Sequence, residues 1–298
     1  MKIYHDILKS KQKIIRAINT YGFSPEHNYY NYLYTQNSGK KCVFIDFGGK
    51  KGIVAFFSKD SNSWRIINGV LAPENERTEL LAKFLDYASS RGSKKVFMEA
   101  AEDFKSEIFK KLKAVYRLNV NYSMNWPIYN LKKLDENLSG KNWKKLRNIK
   151  NRFYKSFKIE IKNPKKVRKE VLKEILDKWM KKRFPRDRAN YSYYVRLIDN
   201  NFKGLEALRA ISVNGEVCSF SGGWMVPDSE IFYCGVGIFN YGYKDLGDFV
   251  NLDDLLHLKQ LGYSHVDLGG SEESLFHFKK KFDPEKVYRT YVFSITKK

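Results

Sequence analysis

The stretch HVDLGGSEESLFHFKKKF, residues 265–282, is where candidate chemistry concentrates in the 298-residue chain. An acid, Asp267, ends a strand-like run two residues before Gly269-Gly270, and a helix-like segment then carries Phe278 and Lys279. A lysine fixed at such a helix end can hold positive charge against a substrate. The acid can accept a proton, or it can simply cap the turn or the following helix. Glu272 and Glu273 open the helix, where acids complement the dipole, so they need no catalytic role. His257, His265 and His277 offer no third ligand beside His265 and Asp267, so no metal site is expected. No GxSxG elbow, Walker loop or Cys/His nucleophile pattern occurs.

The elements that must position these residues follow from hydrophobic spacing. Ile3, Ile7, Ile14 and Ile18 predict an N-terminal amphipathic helix, followed by an aromatic connector, SPEHNYYNYLY. Strands are expected near 42–47, 52–57 and 64–68. A helix opened by Pro73, Glu74 and Glu76 carries Leu80, Leu81, Phe84, Leu85 and Ala88, and a strand KKVFME and a further helix complete the first half. The second half repeats the order: strands at 206–213, 216–225 and 230–236, a loop GVGIFNYGYKDLG, a helix through Phe249, Leu252, Leu255 and Leu256, the strand SHVDL, and a last strand near 288–295. An offset of 170 residues pairs Gly92 with Gly262, Val96 with Val266, and Lys110-Lys111 with Lys280-Lys281. This predicts a duplicated α/β (α+β, mixed-sheet) fold with domains at 1–135 and 136–298, joined near 123–138. Between the two sheets, Asn163-Pro164 is read as the start of a helix through Val167, Val171, Leu172, Ile175, Leu176 and Trp179.

Charge narrows the partner. Lysine and arginine number 55 against 33 acids, a net +22. A mixed surface would be merely solubilising, but from Ser139 to Lys169 there are thirteen basic residues and one acid, Glu160. Within it, GKNWKKLRNIKNRFYKSFK reads as a helix burying Trp143, Leu146, Ile149 and Phe153 while Lys144, Lys145, Arg152 and Lys155 face outward. With Lys181, Lys182, Arg183, Arg186 and Arg188, this suggests a polyanionic partner: tRNA, the nucleotide of an acyl-CoA, or an anionic membrane face. At 43% hydrophobic and 15% aromatic the chain is not disordered. No run of about 18 apolar residues or signal-peptide core exists, and Cys42, Cys218 and Cys234 are odd in number and far apart, which suggests a cytoplasmic protein with reduced thiols.

The basic helix GKNWKKLRNIKNRFYK, the long helix with Trp179 and Arg183, and the order strand–strand–strand–helix–strand–Gly-Gly–helix–Phe-Lys together resemble the GNAT (acyl-CoA N-acyltransferase) superfamily. More closely, they resemble its tandem branch, which holds the Fem-type aminoacyl transferases and the C-terminal domain of phosphatidylglycerol lysyltransferases. LKQLGYSHVDLGGSEESLFHFKKKF carries the likeness most specifically. The resemblance implies tandem GNAT-like domains and transfer of an activated acyl or aminoacyl group to an amine or lipid-headgroup acceptor. Acyl-CoA or aminoacyl-tRNA would be the co-substrate, with no tightly bound cofactor. It places Phe278-Lys279 and the Gly269-Gly270 turn at the donor channel, with Lys279 countering the oxyanion of the tetrahedral intermediate. Asp267 would orient the amine or take its proton through water, unless it caps the turn. Tyr233 lies on the strand edging the donor site, or in the core. Arg183 would anchor an acidic acceptor or face solvent.

One departure stands out. Lys244 and Gly247 fit a pyrophosphate loop, but Phe249 stands where a small residue is expected, and Asp245 and Asp248 would repel phosphate. That tilts the donor toward aminoacyl-tRNA. The first-half counterpart, KKVFMEAAEDFKSEIFKKL, has Ala100-Ala101 in place of Gly270-Ser271 and Phe109 in place of Lys279, so the active site is expected in the second half. Competing readings are a non-catalytic RNA- or polyanion-binding protein on a degenerate GNAT scaffold, and an enzyme peripheral to the inner face of an anionic membrane.

Overall fold

A computed structural model describes residues 1–183 and 189–298; Arg186 and Arg188 of the basic cluster lie outside the described residues. The first half runs β1 (Lys2–Tyr4), α1 (Lys11–Tyr21), α2 (Tyr29–Thr35), β2 (Lys40–Gly48), β3 (Lys51–Ser58), β4 (Ser63–Leu71), α3 (Glu74–Ser90), β5 (Lys95–Ala101), α4 (Glu102–Leu112) and β6 (Tyr116–Asn130). The second continues with α5 (Lys144–Ser156), β7 (Ile159–Lys162), α6 (Lys169–Arg183), α7 (Tyr191–Asp199), β8 (Glu206–Val213), β9 (Glu216–Met225), β10 (Ile231–Phe239), α8 (Leu246–Gln260), β11 (His265–Asp267), α9 (Glu273–Lys279) and β12 (Lys286–Lys297).

All strands form one sheet, in the order β1-β2-β3-β4-β5-β12-β6-β11-β10-β9-β8-β7. Among the described residues its parallel pairs are β4–β5 and β10–β11, with Trp64 opposite Val96 and Phe232 opposite Val266. The duplication visible in the sequence is therefore a repeat of topology. The closing strands are exchanged: β12, the last of the chain, pairs with β5 of the first half, while β6 of the first half pairs with β11 of the second.

Helices cover both faces of each half. Val43 and Ile45 pack with Leu81 and Phe84 of α3, while their neighbours Cys42 and Phe44 pack with Ile14 and Ile18 of α1. This is the alternation of a strand buried on two sides. In the second half Ile211 and Val213 join α5 and α8, and Ala210 turns to α6 and α7. Of the expected stripe, Leu146, Ile149 and Phe153 are buried on α5 while Trp143, its N-cap, is only partly buried, and Phe153 stacks on Phe249 of α8 at 4.3 Å and 5°. Phe249, an oddity in a phosphate loop, is thus a core residue that docks the basic helix. Among the described residues no helix is long and apolar enough to cross a membrane.

Five expectations change. Ile3 lies in β1 opposite Ile45, and α1 begins only at Lys11. The Asp6 carboxylate accepts from the N–H of Leu8 and Lys9, making a turn that interrupts the helical run. The aromatic connector contains α2, capped by Asn28 Oδ1 accepting from the N–H of Tyr30 and Asn31. Asn163-Pro164 starts only a short 3-10 turn before α6. Residues 123–130, expected to be part of a join, are the end of β6, a 15-residue strand. The start of the GVGIFNYGYKDLG loop is likewise strand, the end of β10.

Candidate active site

β10 and β11 run together only from Ile231 to Tyr233 opposite His265 to Asp267. Beyond that point β10 keeps its partner β9 through a register shift between Tyr233 and Val236, while the chain after Asp267 turns away at Leu268-Gly269-Gly270. A cavity of about 720 Å³ opens where the parallel strands part, lined on one side by Tyr233 to Gly237 and on the other by Leu268 to Gly270. Strands that separate leave backbone groups without ladder partners, and these must be satisfied otherwise.

Lys279 satisfies two of them. Its Nζ donates to the Leu268 carbonyl at 2.5 Å and the Gly269 carbonyl at 2.8 Å. The side chain is 8% exposed, and the Tyr129 hydroxyl pins the Lys279 carbonyl at 2.9 Å. An ammonium has three N–H donors, so one remains for the cavity. Burial pushes the Lys279 pKa down to about 8; Asp267 opposes the shift and the Arg183 guanidinium adds to it.

The turn itself demands glycine. Gly269 has φ +86°, and a Cβ on Gly270 would lie 2.6 Å from the Trp126 ring. Asp267 lies behind this turn, fully buried, and is not among the cavity-lining residues. Its Oδ1 accepts from the Gly269 N–H at 2.6 Å and its Oδ2 from the Tyr288 hydroxyl at 3.0 Å. Burial raises its pKa to about 6, against the pull of the Gly269 N–H, the Tyr288 hydroxyl and Lys279. Its contacts are those of a turn cap. Tyr233 faces Gly269 and packs against Trp224 and Trp126, with ring centroids 5.0 and 6.3 Å away; burial drives its hydroxyl pKa well up.

The other expected residues divide into two groups and leave Lys244, expected at the donor, lining neither hollow. Phe278, Gly247, Gly269, Gly270 and Arg183 line the same cavity as Tyr233 and Lys279, and Arg183 lies over the Trp179 ring at 4.6 Å. Lys144, Lys145 and Arg152 line a shallower groove beside it, and Asp245 belongs to both hollows. Lys244 presents its carbonyl to Arg152 at 3.0 Å. Arg152 also binds Asp245 at 2.9 Å, and Lys281 binds Asp248 at 2.9 Å. The first turn of α8 is therefore furnished with two carboxylates, each tied to a cation.

Three wall residues lay outside the sequence expectation. Trp126 donates to Thr290 Oγ1 at 2.8 Å, and Thr290 donates to the buried Glu99 at 2.8 Å, whose pKa burial raises to about 7. Asp254, on α8, accepts from Ser221 at 2.9 Å, and its pKa is also raised to about 7 by burial. Glu26 reaches the cavity from the first half. The one sequence signal for it was an acid among aromatics in SPEHNYYNYLY.

Comparison with known proteins agrees with this architecture. The family described as "Phosphatidylglycerol lysyltransferase, C-terminal" matches residues 19–293. No curated protein matches the sequence. Among solved structures, a conserved protein of unknown function from Bacteroides thetaiotaomicron is 14% identical with a TM-score of 0.71, covering 100% of both chains. L-PGS from Bacillus licheniformis is 16% identical with a TM-score of 0.68, covering 96% of this chain and 91% of that one. A tandem GNAT protein from the clavulanic acid biosynthesis pathway is 9% identical with a TM-score of 0.57, covering 99% and 98%. At such identities the shared property is the fold, a tandem GNAT-like α/β architecture.

Proposed function

The chain belongs to the phosphatidylglycerol lysyltransferase C-terminal family, a family of acyl and aminoacyl transferases, and on that premise we propose that it moves an aminoacyl group from aminoacyl-tRNA to an amine or lipid-headgroup acceptor. The observation that carries this reading is the buried Lys279 ammonium, set on two carbonyls at the point where β10 and β11 part. The acceptor attacks the aminoacyl ester carbon, forming a new C–N or C–O bond and a tetrahedral oxyanion. That intermediate collapses by breaking the bond to the ribose oxygen, which ends with the proton the acceptor lost. The third Lys279 N–H is suited to the oxyanion, where a fixed charge in a water-poor site favours the transition state over the ground state. Asp267, through the Gly269 N–H, holds the turn that aims Lys279. Tyr233 and Phe278 border the acyl path.

The choice of tRNA over CoA rests on the first turn of α8. Helix N-termini attract diphosphates, but here Asp245 and Asp248 occupy that turn with their own cations. The exposed Lys144 and Lys145 next to it suit the phosphates of a larger polyanion. For a lipid acceptor, the same basic face suits an anionic bilayer surface on the cytoplasmic side.

The test is turnover with the purified protein. Aminoacyl-tRNA should be deacylated in an acceptor-dependent way, with Lys279→Ala losing that activity while staying folded. Acceptor-dependent release of CoA from acyl-CoA, without turnover of aminoacyl-tRNA, overturns the donor assignment. Full activity in Lys279→Ala overturns the site.

A further inference from the structure

We propose that Glu26, supplied to the cavity by the N-terminal half, receives the free α-ammonium of the aminoacyl group, so that the site accepts donors with an unmodified amine and rejects N-acylated ones. The inference rests on the aminoacyl-transfer reading above and adds a recognition residue to it.

Glu26 is held as a fixed feature of the wall. It lies in the loop between α1 and α2, whereas every other described lining residue comes from β6 or the second half, far away in sequence. Trp224 donates its indole N–H to the Pro25 carbonyl at 2.8 Å, tying the loop to β9 of the other half. On the far side, His27 Nδ1 accepts from the N–H of Phe23 at 3.0 Å and of Ser24 at 3.3 Å, so its Nε2 carries the proton and donates to the Asn68 carbonyl at 2.7 Å. Burial pushes the His27 pKa down to about 4, so this neighbour is neutral and brings no charge to Glu26. Asn31 Nδ2 donates to Glu26 Oε2 at 2.7 Å and to the Glu26 carbonyl at 3.2 Å. The carboxylate is thus oriented by a neutral amide.

The charge balance points to a cationic ligand group. Of the acids lining the cavity, Asp245 and Asp248 are paired with Arg152 and Lys281, and Asp254 lies against Arg209 at 3.5 Å. Among the described residues no lysine or arginine forms an ion pair with Glu26. Burial raises its pKa, against the opposing pull of the Asn31 amide and the Arg65 guanidinium. Its field extends inward, since it pushes up the Tyr233 hydroxyl and the Glu99 and Asp267 carboxyls. A protein of net +22 therefore has an acidic spot in its cavity wall, a wall that also holds Trp126 and Tyr233. A carboxylate beside aromatic faces is a setting for a primary ammonium. In an aminoacyl ester that ammonium sits one carbon from the reacting carbonyl, so holding it would also place the carbonyl relative to Lys279.

The probes are 3′-deoxy-3′-(L-alanylamino)adenosine, a stable mimic of the donor end, and its N-acetyl derivative. Calorimetric affinities would be measured for the wild type, Glu26→Gln and Glu26→Asp, with circular dichroism and melting confirming the fold. Gln keeps the acceptor for Asn31, so loss of folding is not expected. The wild type should prefer the free amine by about tenfold or more. Glu26→Gln should bind both probes equally, and Glu26→Asp should keep part of the preference. Equal binding of the two probes by the wild type, no binding of either, or an undiminished preference in Glu26→Gln overturns the inference. A Glu26-dependent preference in a protein that transfers from no aminoacyl-tRNA would sink the proposed function and leave this subsite standing. Transfer from N-acetylaminoacyl-tRNA at the full rate would do the reverse.

Discussion

Tyr233 and Lys279 converge on a single glycine: a methyl group on Gly269 would lie 3.6 Å from the Tyr233 hydroxyl and 3.8 Å from the Lys279 ammonium. The two polar groups come from β10 and α9, on opposite sides of the place where the parallel strands part. The glycine turn between them takes a left-handed backbone that only glycine adopts freely, and it leaves the gap between the two groups open. Gly269→Ala should therefore destabilise the fold by about 1–2 kcal/mol through its left-handed backbone. It should lower turnover by more than that loss explains, because the methyl enters the space between hydroxyl and ammonium. Melting temperature and kcat measured on the same preparation check this.

Lys279→Met removes the charge and keeps the apolar stem. We expect kcat to fall by about 10²–10³-fold, the range for loss of one oxyanion donor, with a much smaller change in melting temperature. In the wild type, activity should fall as pH rises through about 8, where the ammonium deprotonates. Stability moves the other way. With the folded pKa depressed, the unfolded chain binds the extra proton between about 8 and 10.5, so this group adds stability as pH rises through that window. Lys279→Arg should shift the activity limb to higher pH, and a pH–rate profile decides.

Glu99→Gln tests the buried line from Trp126 through Thr290. The folded state takes up a proton on Glu99 between pH 4.5 and about 7, so the wild type loses stability across that window and carries the full cost above it. The amide retains an acceptor for Thr290. The variant should therefore be more stable than the wild type at pH 8 by on the order of 3 kcal/mol, and near parity at pH 4.5. Urea midpoints at the two pH values measure the difference.

Replacing Lys144 and Lys145 by alanine should weaken tRNA binding and flatten its salt dependence. The slope of log K against log salt should drop by about 1–2, one phosphate contact per lysine. The fold should be unaffected, since both side chains are solvent-facing on α5. Filter binding across a salt series reads this; an unchanged slope would place the RNA elsewhere.

The second-half wall was legible because its chemistry is contiguous: Gly269, Gly270, Phe278 and Lys279 fall within ten residues of one another. The dual reading of Asp267 could not be resolved from its type, because a turn cap and a catalytic acid occupy the same place in a strand–turn–helix string. Only its hydrogen bonds to Gly269 and Tyr288 distinguish them. The place of Glu26 in the cavity was missed for a different reason. Its position depends on a contact between Pro25 and Trp224, 199 residues apart, and local periodicity carries no such information. The long strand β6 was hidden because residues 117–125 are largely exposed, so the alternation that marks a half-buried strand is missing there. Ile3 misled in the opposite sense, since a four-residue spacing to Ile7 imitates a helix across a turn.

The exchanged closing strands bear on how the protein is made. A ribosome delivers residues 95–101 long before residues 290–295, which supply the neighbour of β5. During that interval the nascent first half holds an open sheet edge, a template for wrong pairing with other chains. Its last partner must close a loop of nearly the whole second half, a slow step for a polypeptide. The nascent chain should therefore depend on chaperone shelter until translation reaches β12, and the two halves should mature together.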